Sequence, residues 1–314
     1  MTQSPHIGLL GKTPRHAEFV RHNASSTLAR YLLRWLEEGT SRLHGARSAL
    51  PSSSVSFVFT APGEGSVLVG LLAPSTDSLG RAFPLSVFQE LPASEVADRY
   101  ALLPESFQPF LRASAALLDE APSLDVALLK ERAERLPSVR PGDVRVAERL
   151  RQALLSEQHC AELLQHVGAQ QPSEGRYYAL HTFLTACAGE RHREQDLANV
   201  MLDCPFPSHL GPVAWLELAT RLLRWSSMPP TFFWSEGEQP RLLLCLGAAP
   251  PTLLLHLAQP TRTGTQLWPL RTERPAAMAH AKQALSPAQR QIIDSSTSTL
   301  EQLLQALTRK ERPS

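Results

Sequence analysis

Ile7 to Leu10 form a short apolar run, closed by Gly11 and Pro14. From Ser26 the spacing changes to that of a helix. Leu28, Tyr31, Leu32, Trp35 and Leu36 recur on one face, Ser25 or Ser26 offers an N-cap, and Gly39 or Gly45 marks an end. After a loop at Pro51 and its three serines, Val55–Thr60 and Val67–Leu72 have strand composition on either side of APGEG, which predicts a β-hairpin. Phe83–Phe88 is a third candidate strand after the Gly80 turn, with Phe83 and Leu85 expected to alternate onto one strand face.

Residues 94–167 read as helical, punctuated by Pro104, Pro122, Pro137 and Pro141–Gly142. GAQQPSEGR is a surface connection before a helix holding Tyr177, Leu180, Phe183 and Leu184. Gly211–Pro212 opens a helix bearing Trp215, Leu218, Leu222 and Leu223, which Pro229–Pro230 stops. Thr231–Ser235 and Arg241–Leu246 are strand-like about an EGEQP turn, and a short helix follows Pro251. Ser286–Pro287 starts a final amphipathic helix running through Ile292, Ile293, Leu300 and Leu307, with a frayed tail after Arg309.

The pattern predicts an α/β (α+β) sandwich, a sheet built largely from hairpins and flanked by helices. It divides as an α/β region over 1–120, a mainly helical middle over 121–200 and a second α/β segment over 201–314. LLRW occurs at 32–35 and again at 222–225, each time before a hairpin. A shared way of packing a helix on a hairpin explains this more simply than a duplication, because the helix-to-strand gaps differ.

A hydrophobic share of 43% and a charged share of 19% suit a sizeable core. The formal charge of +1 argues against a general nucleic-acid or anionic-membrane binder. The first residues lack the charged-then-apolar pattern of a signal peptide, and the longest apolar stretch is broken by Gly247 and Pro250–Pro251. Cys160, Cys187, Cys204 and Cys245 form no CxxC, so reduced buried thiols and a cytoplasmic location are expected, with no direct membrane insertion.

Candidate chemistry is sparse. Gly8-Leu9-Leu10-Gly11-Lys12-Thr13 has two residues between its glycines, where a phosphate-binding P-loop needs four. His159, Cys160 and His166 lack the further ligands of a metal set, and His192 sits in a charge cluster that reads as a solvated surface. There is no GxSxG elbow, and Cys245 lies among leucines that would raise its thiol pKa. Trp225, Phe232, Phe233, Trp234 and Trp268 read as core, with a binding surface as the other use of aromatics. No cofactor and no enzyme activity are expected.

Two blocks carry a resemblance. In GKTPRHAEFVR, Gly11, Lys12, Pro14, Phe19, Val20 and Arg21 match a Gly-Lys-x-Pro…Phe-Val-Arg pattern, with Ala17 and Glu18 where Gly and Asp are commoner. Trp35, Leu36 and Gly39 fit the Trp-Leu-x-x-Gly that follows. In GLLAPSTDSLGRAFPLSV, Pro74, Ser75, Asp77, Gly80, Arg81, Phe83, Pro84 and Leu85 match Pro-Ser-x-Asp-x-x-Gly-Arg-x-Phe-Pro-Leu. Together, over residues 6–91 and more loosely 205–270, the chain resembles the TagF (ImpM) family of type VI secretion-associated proteins. The family's Trp-Arg-Phe element before the first hairpin is absent, SSSVSFVFT standing in its place.

The resemblance implies a cytoplasmic accessory that restrains assembly of the secretion apparatus after translation, acting with the forkhead-associated scaffold protein of the same system. A structural adaptor that promotes assembly is the alternative, and an unrecognised enzyme a further one. Physically, the second block needs no catalysis. Asp77 and Ser75 suit side-chain-to-backbone turn bonds, Gly80 supplies an unusual backbone conformation, and Arg81 either pairs with Asp77 or stays exposed. The block either pins two strands or docks a partner, with Lys12, Arg21 and Arg81 as a basic rim.

Overall fold

The computed structural model describes residues 6–139, 141–168, 174–190 and 200–309. His192, residues 169–173 of the expected connection and the tail after Arg309 lie outside them. In chain order, β1 (Ile7–Gly11) and β2 (Val20–His22) precede α1 (Thr27–Gly45), then β3 (Val55–Phe59), β4 (Ser66–Ala73) and β5 (Leu85–Pro92). A helical stretch follows: α2 (Leu103–Ser106), α3 (Gln108–Glu120), α4 (Val126–Glu134), α5 (Pro141–Glu157), α6 (Cys160–Gly168) and α7 (Gly175–Glu190). The last part runs β6 (Val200–Pro205), α8 (Val213–Leu223), β7 (Phe232–Ser235), β8 (Arg241–Leu246), α9 (Leu253–Ala258), β9 (Leu267–Pro269), α10 (Pro275–Ala284), α11 (Pro287–Asp294) and α12 (Leu300–Thr308).

Among the described residues the strands make one nine-stranded sheet in the order β2-β1-β5-β4-β3-β7-β8-β6-β9. All pairs are antiparallel except β6 with β9. Helices cover both faces, so the central strands are buried on both sides and read as unbroken apolar runs rather than alternating ones. On one face α1 and α9 pack over Phe57, Phe59, Phe233 and Leu243. On the other, Val58, Val69, Val87, Leu202 and Leu244 lie under the remaining helices.

Local chemistry accounts for the main elements. Ser26 Oγ accepts from the Ala29 N–H at 3.1 Å and caps α1, whose buried stripe of Leu28, Leu32, Trp35, Leu36 and Leu43 meets the sheet. The two hairpins join edge to edge through β3 and β7, Phe57 opposite Phe233 and Val58 opposite Phe232. Trp35 reinforces this seam. It stacks on Phe233 with centroids 5.1 Å apart, and its indole N–H donates to the Ala249 carbonyl at 3.1 Å. Trp225, Phe232, Phe233 and Trp234 are buried, and Trp268 is half-buried. The four cysteines are all buried and outside any disulfide.

Several expectations need correction. The final helix is two, because Ser286 and Thr299 each nucleate a complete capping box, with Gln289 and Gln302, and Ser295–Ser298 turn the chain between them. α8 ends at Leu223, well before Pro229, where Arg224 adopts a left-handed conformation with φ 56°. Phe83 and Leu85 do not share a face. β5 starts only at Leu85, so Phe83 lies in the preceding bend and packs with α1 while Leu85 faces the opposite side. The repeated LLRW is a local likeness. The first copy sits inside α1, the second straddles the end of α8, and the two helices cover opposite faces. Strands β2, β6 and β9 and helix α10 were not anticipated. Among the described residues no helix is long and apolar enough to cross a membrane.

Candidate functional site

The two sequence blocks meet in space at one edge of the sheet. β1 pairs with β5, Gly11 opposite Leu85, so the segment leaving β1 runs beside the turn that enters β5. Gly11 has φ 140°, and a Cβ there would sit 2.7 Å from Leu85 Cα and closer still to the Pro84 carbonyl. Only glycine lets the chain turn out of β1 against this backbone.

That turn delivers Lys12 to Asp77, 65 residues further along. Asp77 is buried and all four of its acceptor positions are used. Oδ2 accepts from Lys12 Nζ at 2.7 Å and from Arg81 Nε at 2.6 Å. Oδ1 accepts from the backbone N–H groups of Leu79 at 3.0 Å and Arg81 at 2.9 Å. Burial by itself would raise the Asp77 pKa. The Lys12 ammonium, the Arg81 amide and guanidinium and the Leu79 amide outweigh it and hold the carboxyl well below the usual carboxylate range.

Backbone bonds complete the clamp. Asp77 N–H donates to the Arg81 carbonyl, Gly80 N–H to the Asp77 carbonyl, Phe83 N–H to the Ser75 carbonyl, and Ser78 N–H to the His16 carbonyl. Gly80 closes the turn at φ 77°. Arg81 also reaches back to the Ala17 carbonyl at 3.0 Å, tying the turn to the loop after Lys12. Beneath it, Phe19 meets Phe83 edge-on at 4.9 Å, with Lys12 and Arg21 over the Phe19 ring at 5.2 and 5.8 Å.

The expected site residues therefore divide. Gly11, Lys12, Asp77, Phe83 and Pro84 are buried. Pro14, Phe19 and Ser75 are half-buried, and Arg21, Pro74, Gly80 and Arg81 are exposed. The basic rim is corrected at one position. Lys12 is 8% exposed and engaged with Asp77, so of the three only Arg21 and Arg81 are exposed. Leu79, at the tip of the turn, was overlooked although it is 69% exposed. Its signal was an aliphatic side chain inside an otherwise polar turn, Ser-Thr-Asp-Ser-Leu-Gly-Arg.

The arrangement limits its own chemistry. With its oxygens saturated, Asp77 cannot ligate a metal or take a proton from a substrate without breaking the clamp. The P-loop-like glycines serve packing. Gly8 lies against the Phe88 ring, and Lys12 faces the carboxylate rather than a phosphate site. Among the described residues no three or more His, Cys, Asp or Glu side chains converge as metal ligands.

The fold and this site define a mixed α/β protein whose N-terminal part is organised around a buried ion-pair clamp beneath an exposed turn. Residues 8–136 match the model of the TagF N-terminal domain, type VI secretion system-associated, which covers both blocks and the clamp. Residues 8–136 thus form a TagF N-terminal domain, of the type VI secretion system-associated kind. In fold it is similar to the crystal structure of PA0076 from Pseudomonas aeruginosa PAO1, with a TM-score of 0.50 and 18% identity over 84% of this chain and 99% of that one. No curated protein matches the chain.

Proposed function

We propose that this protein is a cytoplasmic, non-enzymatic regulator that represses assembly of a type VI secretion apparatus by docking onto another component, the forkhead-associated scaffold protein. The observation that carries the docking reading is the clamped turn with Leu79 held out into solvent. Leu79 is an aliphatic side chain presented to solvent on a turn that is fixed from beneath, with Arg81 two residues on in the same turn, and turns held on a rigid sheet often carry recognition. Pre-organisation by the Asp77 clamp lowers the entropy cost of binding. The TagF N-terminal domain over the same residues supports placing the partner within the secretion system.

The test is genetic and physical together. Deleting the gene should raise the number of assembled secretion tubes without changing synthesis of their components, and overproduction should block secretion. Overproduction that leaves secretion intact or raises it would instead indicate an adaptor that promotes assembly.

A further inference from the structure

At the far edge of the sheet from the clamp, the ends of β6 and β8 and the segment after β9 enclose a cavity of about 170 Å³. Its wall includes Arg241, Arg271, Asp203 and His166, and its mouth the exposed Glu238, Gln239 and Pro260. Arg241 is the first residue of β8 and is only 7% exposed. Its Nε lies 3.1 Å from Asp203 Oδ1, and its Nη1 donates to the His256 carbonyl at 3.3 Å. Among the described residues, its buried Nη2 has no hydrogen-bond partner, and neither does Nε of Arg271. A buried guanidinium with an unmet donor is costly, since each such group forfeits its hydration without replacement.

The charge count points the same way. Two guanidiniums share one wall carboxylate, Asp203, and Glu238 lies outside at the solvent-exposed mouth. His166, whose pKa burial lowers and the adjacent Arg271 and His209 lower further, is disfavoured from adding a third positive charge. Asp203 is itself buried, which raises its pKa against the pull of both arginines. We infer that the Arg241–Arg271 cavity is a binding site for a small carboxylate anion, whose two oxygens take the unmet guanidinium donors. Arginine forks match planar carboxylates bidentately. One surplus positive charge with Glu238 at the entrance favours a monoanion over phosphate. The volume suits a small organic acid and falls below the roughly 300–1,000 Å³ of pockets for larger ligands.

The test is a thermal-melting titration of the full chain with sodium acetate, against sodium chloride and inorganic phosphate at equal ionic strength. A second arm uses the dipeptide Gly-Gly and its C-terminal amide. The expected result is a saturable rise in Tm with acetate that chloride does not give, weakened at least tenfold in apparent Kd by Arg271→Gln. Arg271 is half-exposed, so this variant keeps the fold even where Arg241→Gln does not. Gly-Gly binding more tightly than acetate, with its amide inactive, supports a carboxylate at a chain end, and the reverse order supports a free acid. An acetate response no greater than that of chloride, a stronger response to phosphate, or an unchanged response in Arg271→Gln overturns the assignment.

Discussion

Replacing Gly11 by alanine asks whether the signature residues build the fold. The substitution meets two separate costs. A non-glycine residue held at φ 140° carries strain of about 1–3 kcal/mol. The new methyl must also displace backbone, because Leu85 Cα would lie 2.7 Å away and the Pro84 carbonyl nearer still, and overpacking of this kind costs about 1–3 kcal/mol. The sum, about 2–6 kcal/mol, is a large part of the roughly 5–15 kcal/mol that holds a domain folded. With about 2.1 cal/mol/K of unfolding entropy per residue, 314 residues give roughly 0.66 kcal/mol/K, so Tm should fall by about 3–9 °C.

Gly63→Ala is the matched control. It too has a positive φ, 78°, but a Cβ there meets nothing within 4 Å, so only a conformational cost of about 1–2 kcal/mol applies. Urea denaturation and thermal melting of both variants measure the difference. If Gly11→Ala is no more destabilising than Gly63→Ala, the close approach of β1 to β5 does not explain this glycine.

Other perturbations test other parts. Asp77→Asn should destabilise the protein at neutral pH. The folded-state pKa of Asp77 lies below its ordinary 3.8, so its contribution is present above that value and is lost as pH falls. The gap between wild type and Asp77→Asn, read by urea denaturation from pH 7 to pH 3, should therefore narrow below about pH 4. Trp35→Ala removes the ring stacked over the β3–β7 seam and should cost about 3–5 kcal/mol in denaturant unfolding. Glu217→Ala leaves Arg151 and Arg221 without the buried carboxylate between them, at 2.9 Å from each. Because both arginines are about a quarter exposed, the loss should be nearer 2 kcal/mol than the roughly 3–5 of a fully buried pair.

Much of this architecture is written locally. The Ser26 cap and the periodicity behind it placed α1, and the turn residues between Phe59 and Ser66 and between Ser235 and Arg241 placed both hairpins. What escaped was non-local or too short to show a period. β2 and β9 are three residues each, and β6 carries Asp203 and Pro205, which disguise a strand whose polar residue is matched by Arg241 from β8. The edge-to-edge joining of the hairpins depends on Phe57 meeting Phe233, a pairing that neither segment announces alone. The candidate site followed the same rule. Asp77 and Arg81, four residues apart, were a foreseeable pair, whereas Lys12 reads as a surface cation until the fold brings it to Asp77. Leu79 stood out only once its exposure was visible.

The central claim is that the clamped turn is a docking element. The direct measurement is the affinity of the purified protein for the forkhead-associated scaffold protein of its secretion system, compared with Leu79→Asp by titration calorimetry, with Tm recorded for both. The account predicts binding that weakens at least tenfold, about 1.4 kcal/mol, in the variant while its Tm stays within about 1 °C of wild type. Equal affinity of the two proteins, or no binding by the wild type, would contradict it.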